Sequence, residues 1–312
     1  MPQHRPADGA AGAYHGLLEA RVRRTGTLLC LGLDPDPAGF PRGFGTDVSG
    51  AERFSRLVLE AALPYAAAVK ANLAFFEAFG SAGLAALERL RASLPADVPF
   101  VADAKRGDIG STTARHAAAL YDDLGAHAVT VAPYVGAAAL APLFERPGRC
   151  VYVLCRTSNP GAGELQDLPV GPGPANGVAG EPLYLRVARL AQDWQAAYGT
   201  VGLVVGATAP VELQAVRRVA PALPFLVPGV GTQGGDSVVV RDLAAAVGGP
   251  LATTAGRGVL VNVSRGIAAA ALDAPDPEAA IAMAAADWAA RLRCYDTEPP
   301  QRTPLEEPSP HA

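Results

Sequence analysis

Short apolar runs alternate with longer stretches of helical spacing along most of this 312-residue chain. Eight of the apolar runs have strand character, at residues 27–33, 66–70, 98–103, 128–132, 150–155, 202–205, 225–228 and 258–263. Helical spacing fills the intervals 52–63, 83–94, 113–124, 183–198, 210–219 and 235–247, and a last helical stretch, 276–292, follows the eighth run. Strands that alternate with helices in this way are typical of parallel pairing.

The apolar runs are continuous rather than interrupted by polar residues, which predicts strands that are covered on both faces. A doubly wound open sheet and a closed barrel would both satisfy this pattern. The turn after the first run, Leu31-Gly32-Leu33-Asp34-Pro35, is not the Gly-x-Gly-x-x-Gly turn of dinucleotide-binding sheets. Eight strands within a core of roughly 250 to 280 residues favour an α/β fold, a (β/α)8 TIM barrel forming a single domain over residues 14–296.

Polar side chains stand at the ends of several of these runs. Barrels of this type carry their functional groups at the carboxyl ends of the strands. Buried charges are costly unless they are paired, so stability alone gives a barrel little use for them at several strand ends. The candidate functional residues at these ends are Asp34, Lys70, Asp103, Lys105, Ser158, Gln233 and Arg265.

The third run ends in an array of alternating charge, Asp103, Lys105 and Asp108. In an extended strand, residues i and i+2 lie on one face, so Asp103 and Lys105 are predicted to point the same way. Neighbouring carboxylates stabilise an ammonium, and a fixed ammonium can neutralise and then protonate a carbanion. The alternative interpretation is structural, namely a salt bridge at a strand end followed by a helix capped by Ser111 or Thr112.

The loops after the seventh and eighth runs are typical of a phosphate site, which barrel enzymes often build there. Backbone amides approach an anion closely where side chains are absent, and the first of these loops contains Gly229, Gly231, Gly234 and Gly235. Gln233 can add a side-chain donor, and Arg265 can offer a bidentate guanidinium. The alternative is a plain glycine-rich turn. Arg257 precedes the eighth run, so we expect it at the opposite end of the barrel.

The string Asp103-x-Lys105-x-x-Asp108, followed by Ile109-Gly110-Ser111-Thr112, resembles the signature of the orotidine 5'-phosphate decarboxylases. The resemblance is greatest to the long bacterial (type 2) subgroup, and it extends from about Leu28 to Ile267 through segments in the same order. One departure is Ala71, which stands where proline is common in the family.

The resemblance implies roles for the residues at matching positions. Lys105, Asp103 and Asp108 match the catalytic charge array. Substrate contacts are implied for Asp34 and Lys70 at the ribose, Ile109 and Thr112 at the base and ribose, Ser158 at the pyrimidine edge, and Gln233 and Arg265 at the phosphate. Gly235 joins this set because its backbone amide is available to an anion.

The activity that the resemblance implies is decarboxylation of orotidine 5'-monophosphate to uridine 5'-monophosphate, the last step of de novo UMP biosynthesis. It implies no cofactor and no metal. In the family, the residues matching Asp108, Ile109 and Thr112 reach into the neighbouring subunit's site, which implies an obligate homodimer.

Two other functions fit part of the pattern. Sugar-phosphate enzymes of the same barrel superfamily, such as a keto-gulonate phosphate decarboxylase or a hexulose phosphate synthase, share Asp-x-Lys-x-x-Asp but use Mg²⁺ and a further set of acidic ligands. A non-catalytic phosphate-binding barrel is the second alternative. The charge array argues against it, since a pure binder has no use for a carboxylate that faces an anionic ligand.

Composition narrows the partners and the compartment. The net charge of −4 and the 18% of charged residues give no basic footprint for nucleic acid. No run approaches 18 uninterrupted apolar residues, so we expect no membrane span, and the first 13 residues lack the apolar core of a secretion signal. The four cysteines show no Cys-x-x-Cys spacing and no partnered histidines, which predicts core thiols in a reducing cytoplasm.

The remaining segments carry weaker signals. Residues 1–13 and 297–312 are rich in proline, glutamate and small residues, and we predict disordered tails at both ends. Residues 161–180 are rich in glycine and proline and are predicted to form a surface loop. His116 and His127 are predicted to be structural or exposed rather than catalytic.

Overall fold

Eight parallel strands close into a barrel in the computed structural model, which describes residues 12–171, 180–199, 201–231 and 236–295. Each strand pairs with the next along the chain, and the last pairs with the first. The predicted (β/α)8 barrel is confirmed, and the doubly wound sheet is wrong. The barrel strands β1 to β8 are Leu29–Leu33, Ala68–Asn72, Phe100–Arg106, Ala128–Val131, Cys150–Arg156, Val201–Val205, Phe225–Val227 and Val259–Val263.

Helices surround the barrel and connect its strands. In chain order, α1 to α12 are Gly12–Thr25, Val48–Ala62, Leu73–Glu77, Gly80–Ala92, Gly110–Ala117, Ala137–Phe144, Gly163–Gln166, Leu183–Tyr198, Pro210–Val219, Ser237–Ala244, Arg265–Ala268 and Pro277–Arg291. Short 3₁₀ segments lie at Pro37–Gly39, Leu63–Tyr65, Pro133–Val135, Pro250–Thr253 and Ala269–Ala271. A two-residue antiparallel ribbon outside the barrel pairs Pro169–Val170 with Glu181–Pro182.

The predicted and observed helices agree best at α8 and α9. The predictions for α8 and α9 match the observed bounds residue for residue. The predicted helix 113–124 begins earlier, at Gly110, and continues past Ala117 as a π-helix over Ala118–Asp123. The predicted cap at Ser111 or Thr112 is wrong, because the helix starts before them: Ile109 is the N-cap and supplies no side-chain hydrogen bond.

Helix α1 closes the amino-terminal end of the barrel. The Tyr14 hydroxyl lies 3.1 Å from that of Tyr152 on β5, and both rings are buried. Glu19 accepts hydrogen bonds from the backbone amides of Ala255 and Gly256, just before β8. The helix begins at Gly12, two residues inside the tail predicted from the sequence, because the apolar side chains of its first turns pack against the barrel floor. Residues 1–11 and 296–312 lie outside the described residues.

The buried ring of Tyr152 packs against Tyr14 of α1 and helps to fill the amino-terminal end of the barrel. Gly202 on β6 faces Tyr152, and a Cβ there would lie 2.8 Å from the tyrosine ring and 2.7 Å from the Pro224 carbonyl oxygen. The lack of a side chain therefore makes room for the ring. Because this end is packed, the cavity can open only at the carboxyl ends of the strands.

His127 is held as a neutral ring between β3 and β4, as predicted for a structural histidine. Its Nδ1 accepts a hydrogen bond of 3.0 Å from the backbone amide of Phe100. Burial, with smaller contributions from Arg91 and Arg149, lowers the pKa of His127 to about 4. In the unfolded chain, His127 takes up a proton below its ordinary pKa of 6.5, whereas in the folded protein it does so only near pH 4. The free energy of unfolding therefore falls as the pH is lowered from about 6.5 to about 4.

We predict that His127→Asn, which keeps an acceptor for the Phe100 amide but does not titrate, reduces this acid sensitivity. Between pH 7.5 and 5.0 the variant is expected to lose about 1 kcal/mol less stability than the wild type, a figure discounted for the partly exposed ring. Urea unfolding at the two pH values measures the difference. Identical losses in both proteins would contradict a neutral, buried His127.

Candidate active site

A cavity of about 590 Å³ opens at the carboxyl ends of the strands, within the size range of small-molecule sites. Side chains from β2 to β8 and from the loops after β1, β5, β7 and β8 line it. Among the residues predicted from the sequence, the cavity brings together Asp34, Lys70, Asp103, Lys105, Ser158 and Arg265.

The Asp103 carboxylate lies between two ammonium groups. Its Oδ2 is 2.9 Å from Lys70 Nζ, and its Oδ1 is 2.7 Å from Lys105 Nζ. Asp34 Oδ1 approaches Lys70 Nζ from the other side at 3.9 Å. Two carboxylates and two ammonium groups therefore form one electrically balanced cluster, in which Lys70 is buried and Lys105 is open to the cavity.

This pairing fixes the protonation state of the buried members. Burial alone would raise the pKa of Asp103, but the ammonium groups of Lys70 and Lys105 outweigh it and hold that pKa well below its usual range. Burial would likewise lower the pKa of Lys70, but Asp34 and Asp103 raise it above its ordinary value. At neutral pH, Asp103 is therefore a carboxylate and Lys70 is an ammonium.

An irregular strand end aims Lys105 at the cavity. The register of β3 against β4 shifts between Ala102 and Arg106, and Lys105 adopts φ 49°, in the left-handed region that favours glycine. The Lys105 amide donates to Thr130 Oγ1 at 3.0 Å, and that hydroxyl donates to Asp103 Oδ1 at 2.8 Å. The predicted meeting of Asp103 and Lys105 occurs, but through a bulge rather than through the regular alternation of an extended strand.

The segment after β5 places Ser158 in the cavity. A Cβ at Gly206, at the end of β6, would lie 2.9 Å from the Ser158 Cβ, so the glycine permits this close approach. Gln166 on α7 accepts from the Thr157 amide at 3.0 Å and donates to the Thr157 hydroxyl at 2.7 Å. Arg156 donates to the same amide oxygen at 3.2 Å. Helix α7 thus anchors the loop that carries Ser158.

The structure describes only part of the predicted phosphate site, which the sequence placed in the loops after β7 and β8. Arg265 starts α11 just after β8, and its exposed side chain lines the same cavity as Gly229. Gln233 and Gly235 lie in residues 232–235, outside the described residues. Arg257 lies at the other end of β8, with its guanidinium 4.8 Å from the centre of the Tyr295 ring, as the sequence predicted.

Asp108, Ile109 and Thr112 do not line the cavity of their own chain. Asp108 is exposed, and its Oδ1 accepts a 2.6 Å hydrogen bond from the Ile109 amide. The Ile109 side chain is 66% exposed at the start of α5. These three residues therefore face away from the cluster around Asp103 in the single chain.

Seven polar residues of the cavity were not assigned to the site from the sequence: Asp36, Asn72, Thr130, Thr157, Asn159, Asn262 and Ser264. Thr130 and Asn262 each interrupt an apolar strand, at Ala128–Val131 and Val259–Val263, and this interruption is the signal that could have found them.

The lysine count is a second missed signal. Of the 26 lysine and arginine residues, only Lys70 and Lys105 are lysines, and both lie in this cavity. Arginine does not release a proton at neutral pH, whereas a lysine ammonium can.

Across the described ranges, no cluster of three His, Cys, Asp or Glu side chains has the arrangement needed to hold a metal ion. The described helices include none that is both long enough and apolar enough to span a bilayer. All four cysteines are free thiols, and Cys30, Cys150 and Cys155 are buried, as predicted for core residues.

Known proteins resemble this chain over most of its length. The model of the "Orotidine 5'-phosphate decarboxylase / HUMPS family" matches residues 27–284. The chain belongs to this family. An orotidine 5'-phosphate decarboxylase of Thermomicrobium roseum is 48% identical over 272 residues, covering 87% of this chain and 92% of the relative. One from Halorubrum lacusprofundi is 44% identical over 284 residues, covering 90% and 97%.

Solved structures of the family share the fold. The OMP decarboxylase of Leishmania donovani superposes with a TM-score of 0.73 at 40% identity, and the match covers 89% of this chain and 98% of that one. The family model spans both decarboxylases and the sugar-phosphate enzymes, whereas these named relatives are decarboxylases. The resemblance seen in the sequence is therefore confirmed, and the sugar-phosphate alternative is not favoured.

The left-handed backbone of Lys105 makes a testable prediction about stability. Lys105→Gly and Lys105→Ala remove the same ammonium, but only alanine suffers the steric cost of a positive φ. We expect the glycine variant to be the more stable by about 1 kcal/mol in urea unfolding.

A matched control lies three residues earlier in the same strand. At Ala102, where the strand is regular, a change to glycine is expected to lower stability, since glycine weakens a strand. If glycine were no better than alanine at position 105, the strained backbone inferred for Lys105 would be absent in solution.

Proposed function

We propose that this protein decarboxylates orotidine 5'-monophosphate to uridine 5'-monophosphate without a cofactor. The observation that carries the proposal is an ammonium open to a nucleotide-sized cavity and held 2.7 Å from a carboxylate that stays ionised. The relatives named orotidine 5'-phosphate decarboxylase support the same substrate and product. Catalysis is then the work of side chains alone, through charge and proton transfer.

Lys105 is the proton donor in the proposed reaction. The bond between ring C6 and the carboxylate carbon breaks, CO₂ departs, and the bonding electron pair stays on C6. The Lys105 ammonium stabilises this developing negative charge and then transfers a proton to C6. The resulting amine regains a proton from solvent, so one proton is consumed for each CO₂ released.

Asp103 and Lys70 prepare this step. Because Asp103 is held as a carboxylate, it attracts the Lys105 ammonium and fixes the position of its Nζ before the substrate arrives. The Thr130 hydroxyl donates a hydrogen bond to the same oxygen, Asp103 Oδ1, and so helps to fix the carboxylate. Lys70 balances Asp103 when Lys105 has given up its proton, so the buried carboxylate is not left without a cation.

The other residues predicted for the site bind the nucleotide in this proposal. Arg265 offers a guanidinium fork to the phosphate, together with Gln233 and Gly235. Ser158 faces the pyrimidine edge, and Asp34 and Lys70 face the ribose. Binding energy from the phosphate and ribose can be used to hold the closed, oriented complex in which C6 lies against Lys105.

We further propose a homodimer in which Asp108, Ile109 and Thr112 complete the partner's site. The exposed side chains support an interface at this end of the barrel. Ile109 is 66% exposed and Tyr134, in the segment after β4, is 91% exposed, while Val135 lies beside Gly107 at the end of β3. Exposed apolar surface of this kind is typical of protein–protein contacts. We also assign the protein to the cytoplasm, in line with its free thiols.

The activity is tested by following orotidine 5'-monophosphate consumption spectrophotometrically, with and without EDTA. We expect turnover that EDTA does not change, and a loss of at least about 10⁴-fold in kcat for Lys105→Ala, which removes both the charge stabilisation and the proton. Inhibition by EDTA would point to the magnesium-dependent enzymes instead. A Lys105→Ala variant that kept a tenth of wild-type turnover would overturn the assigned role.

The shared site is tested by mixing two inactive variants, Lys105→Ala and Asp108→Asn, under conditions that allow subunits to exchange. A hybrid dimer holds one site in which both residues are native, so a statistical mixture is expected to recover about a quarter of wild-type activity. If Asp108 served its own chain, each hybrid site would carry one defect and no activity would return.

A further inference from the structure

Asn262 is a polar side chain buried where the strand pattern calls for an apolar one. It lies within β8 between Val261 and Val263, is 8% exposed and lines the cavity. Its Oδ1 is fully buried and has no hydrogen-bond partner among the described residues. A buried amide oxygen without a donor is costly, so its presence beside an open cavity points to a ligand that supplies the donor.

Asn262 lies between two parts of the candidate site, the charged cluster around Asp103 and the guanidinium of Arg265. Its strand neighbour on β1 is Cys30, and its amide leans over Gly32, where a Cβ would lie 2.9 Å from Oδ1. Gly32 in turn pairs with Lys70 on β2. Three residues further along the chain, Arg265 reaches the cavity wall. Asn262 therefore lies between the charged cluster and the guanidinium.

We propose that Asn262 binds the ribose of the substrate, with its amide oxygen accepting a hydrogen bond from a ribose hydroxyl. This inference rests on the proposed function, in which the pyrimidine lies at Lys105 and the phosphate at Arg265, so that the sugar must lie between them. Asp34 Oδ1 is a second buried acceptor without a hydrogen-bond donor in the described structure. Two such acceptors in one cavity match the two hydroxyl donors of a ribose.

The absent side chain of Gly32 supports this assignment. A Cβ at Gly32 would also lie 2.7 Å from the Cβ of Ser264, so any larger residue would displace the wall that carries Asn262. The glycine thus leaves the Asn262 amide free to extend over β1 toward the ribose position.

Calorimetric titration with the product and its deoxy analogues tests the contact. UMP, 2'-deoxy-UMP and 3'-deoxy-UMP are titrated into the wild type and into Asn262→Ala. We expect Asn262→Ala to weaken UMP binding about tenfold and to leave unchanged the binding of the one analogue that lacks the bonded hydroxyl. If the alanine variant does not fold, the same three ligands are titrated into Asn262→Ser instead.

Asn159→Ala is the matched control. Asn159 also lines the cavity, but its amide is already satisfied, since Nδ2 donates to the Pro160 carbonyl and Oδ1 accepts from Thr157. Its replacement is expected to leave the ratio of UMP to deoxy-UMP affinities unchanged. Equal weakening of all three ligands by Asn262→Ala would overturn the ribose contact while leaving the proposed activity intact. A wild type that neither bound UMP nor consumed orotidine 5'-monophosphate would overturn both.

Discussion

The arrangement of the cavity depends on one carboxylate held between two ammonium groups. Asp103 contacts Lys70 on one side and Lys105 on the other, and it stays ionised although it is largely buried. An unpaired carboxylate at this depth would protonate or destabilise the fold, and the buried Lys70 alone would face the same problem. Each charge in the cluster is thus tolerated because the others are present. This mutual dependence fixes the position of the Lys105 amine. It is accompanied by a strained, left-handed backbone at Lys105.

Much of the fold could be predicted from the sequence because its strands are buried on both faces. Continuous apolar runs marked all eight strands, and their alternation with helices marked the barrel. Helix α1 was missed because its apolar positions, Tyr14, Leu18 and Val22, are flanked by a polar segment and have a role only once the barrel floor exists. The π-helix after α5 depends on packing that no local pattern expresses.

The parts of the site that lie close together in the sequence could be predicted. The parts that depend on contacts between different strands could not. Asp103 and Lys105 could be paired from their spacing, although the left-handed Lys105 and the bridging Thr130 follow from the register of β3 against β4. The sequence shows Asn262 as a polar interruption of an apolar run, but its position over Gly32 follows from the pairing of β8 with β1. In the proposed dimer, Asp108 acts in the site of the second subunit, which a single chain does not contain. The scarcity of lysine is visible in the sequence, since Lys70 and Lys105 are its only two lysines. The structure places both of them in this cavity.

The ionisation of Asp103 can be observed through the two lysines. Selective ¹⁵N-lysine labelling gives two side-chain ammonium signals, assigned with Lys105→Gly, and both Nζ atoms contact Asp103. If the carboxylate stays ionised as the charge cluster requires, both signals hold their chemical shifts as the pH is lowered from 7 to about 3, an interval that includes the ordinary aspartate pKa of about 3.9. A shared transition of both signals within that interval would mean that Asp103 takes up a proton there, and it would contradict the proposed organisation of the site.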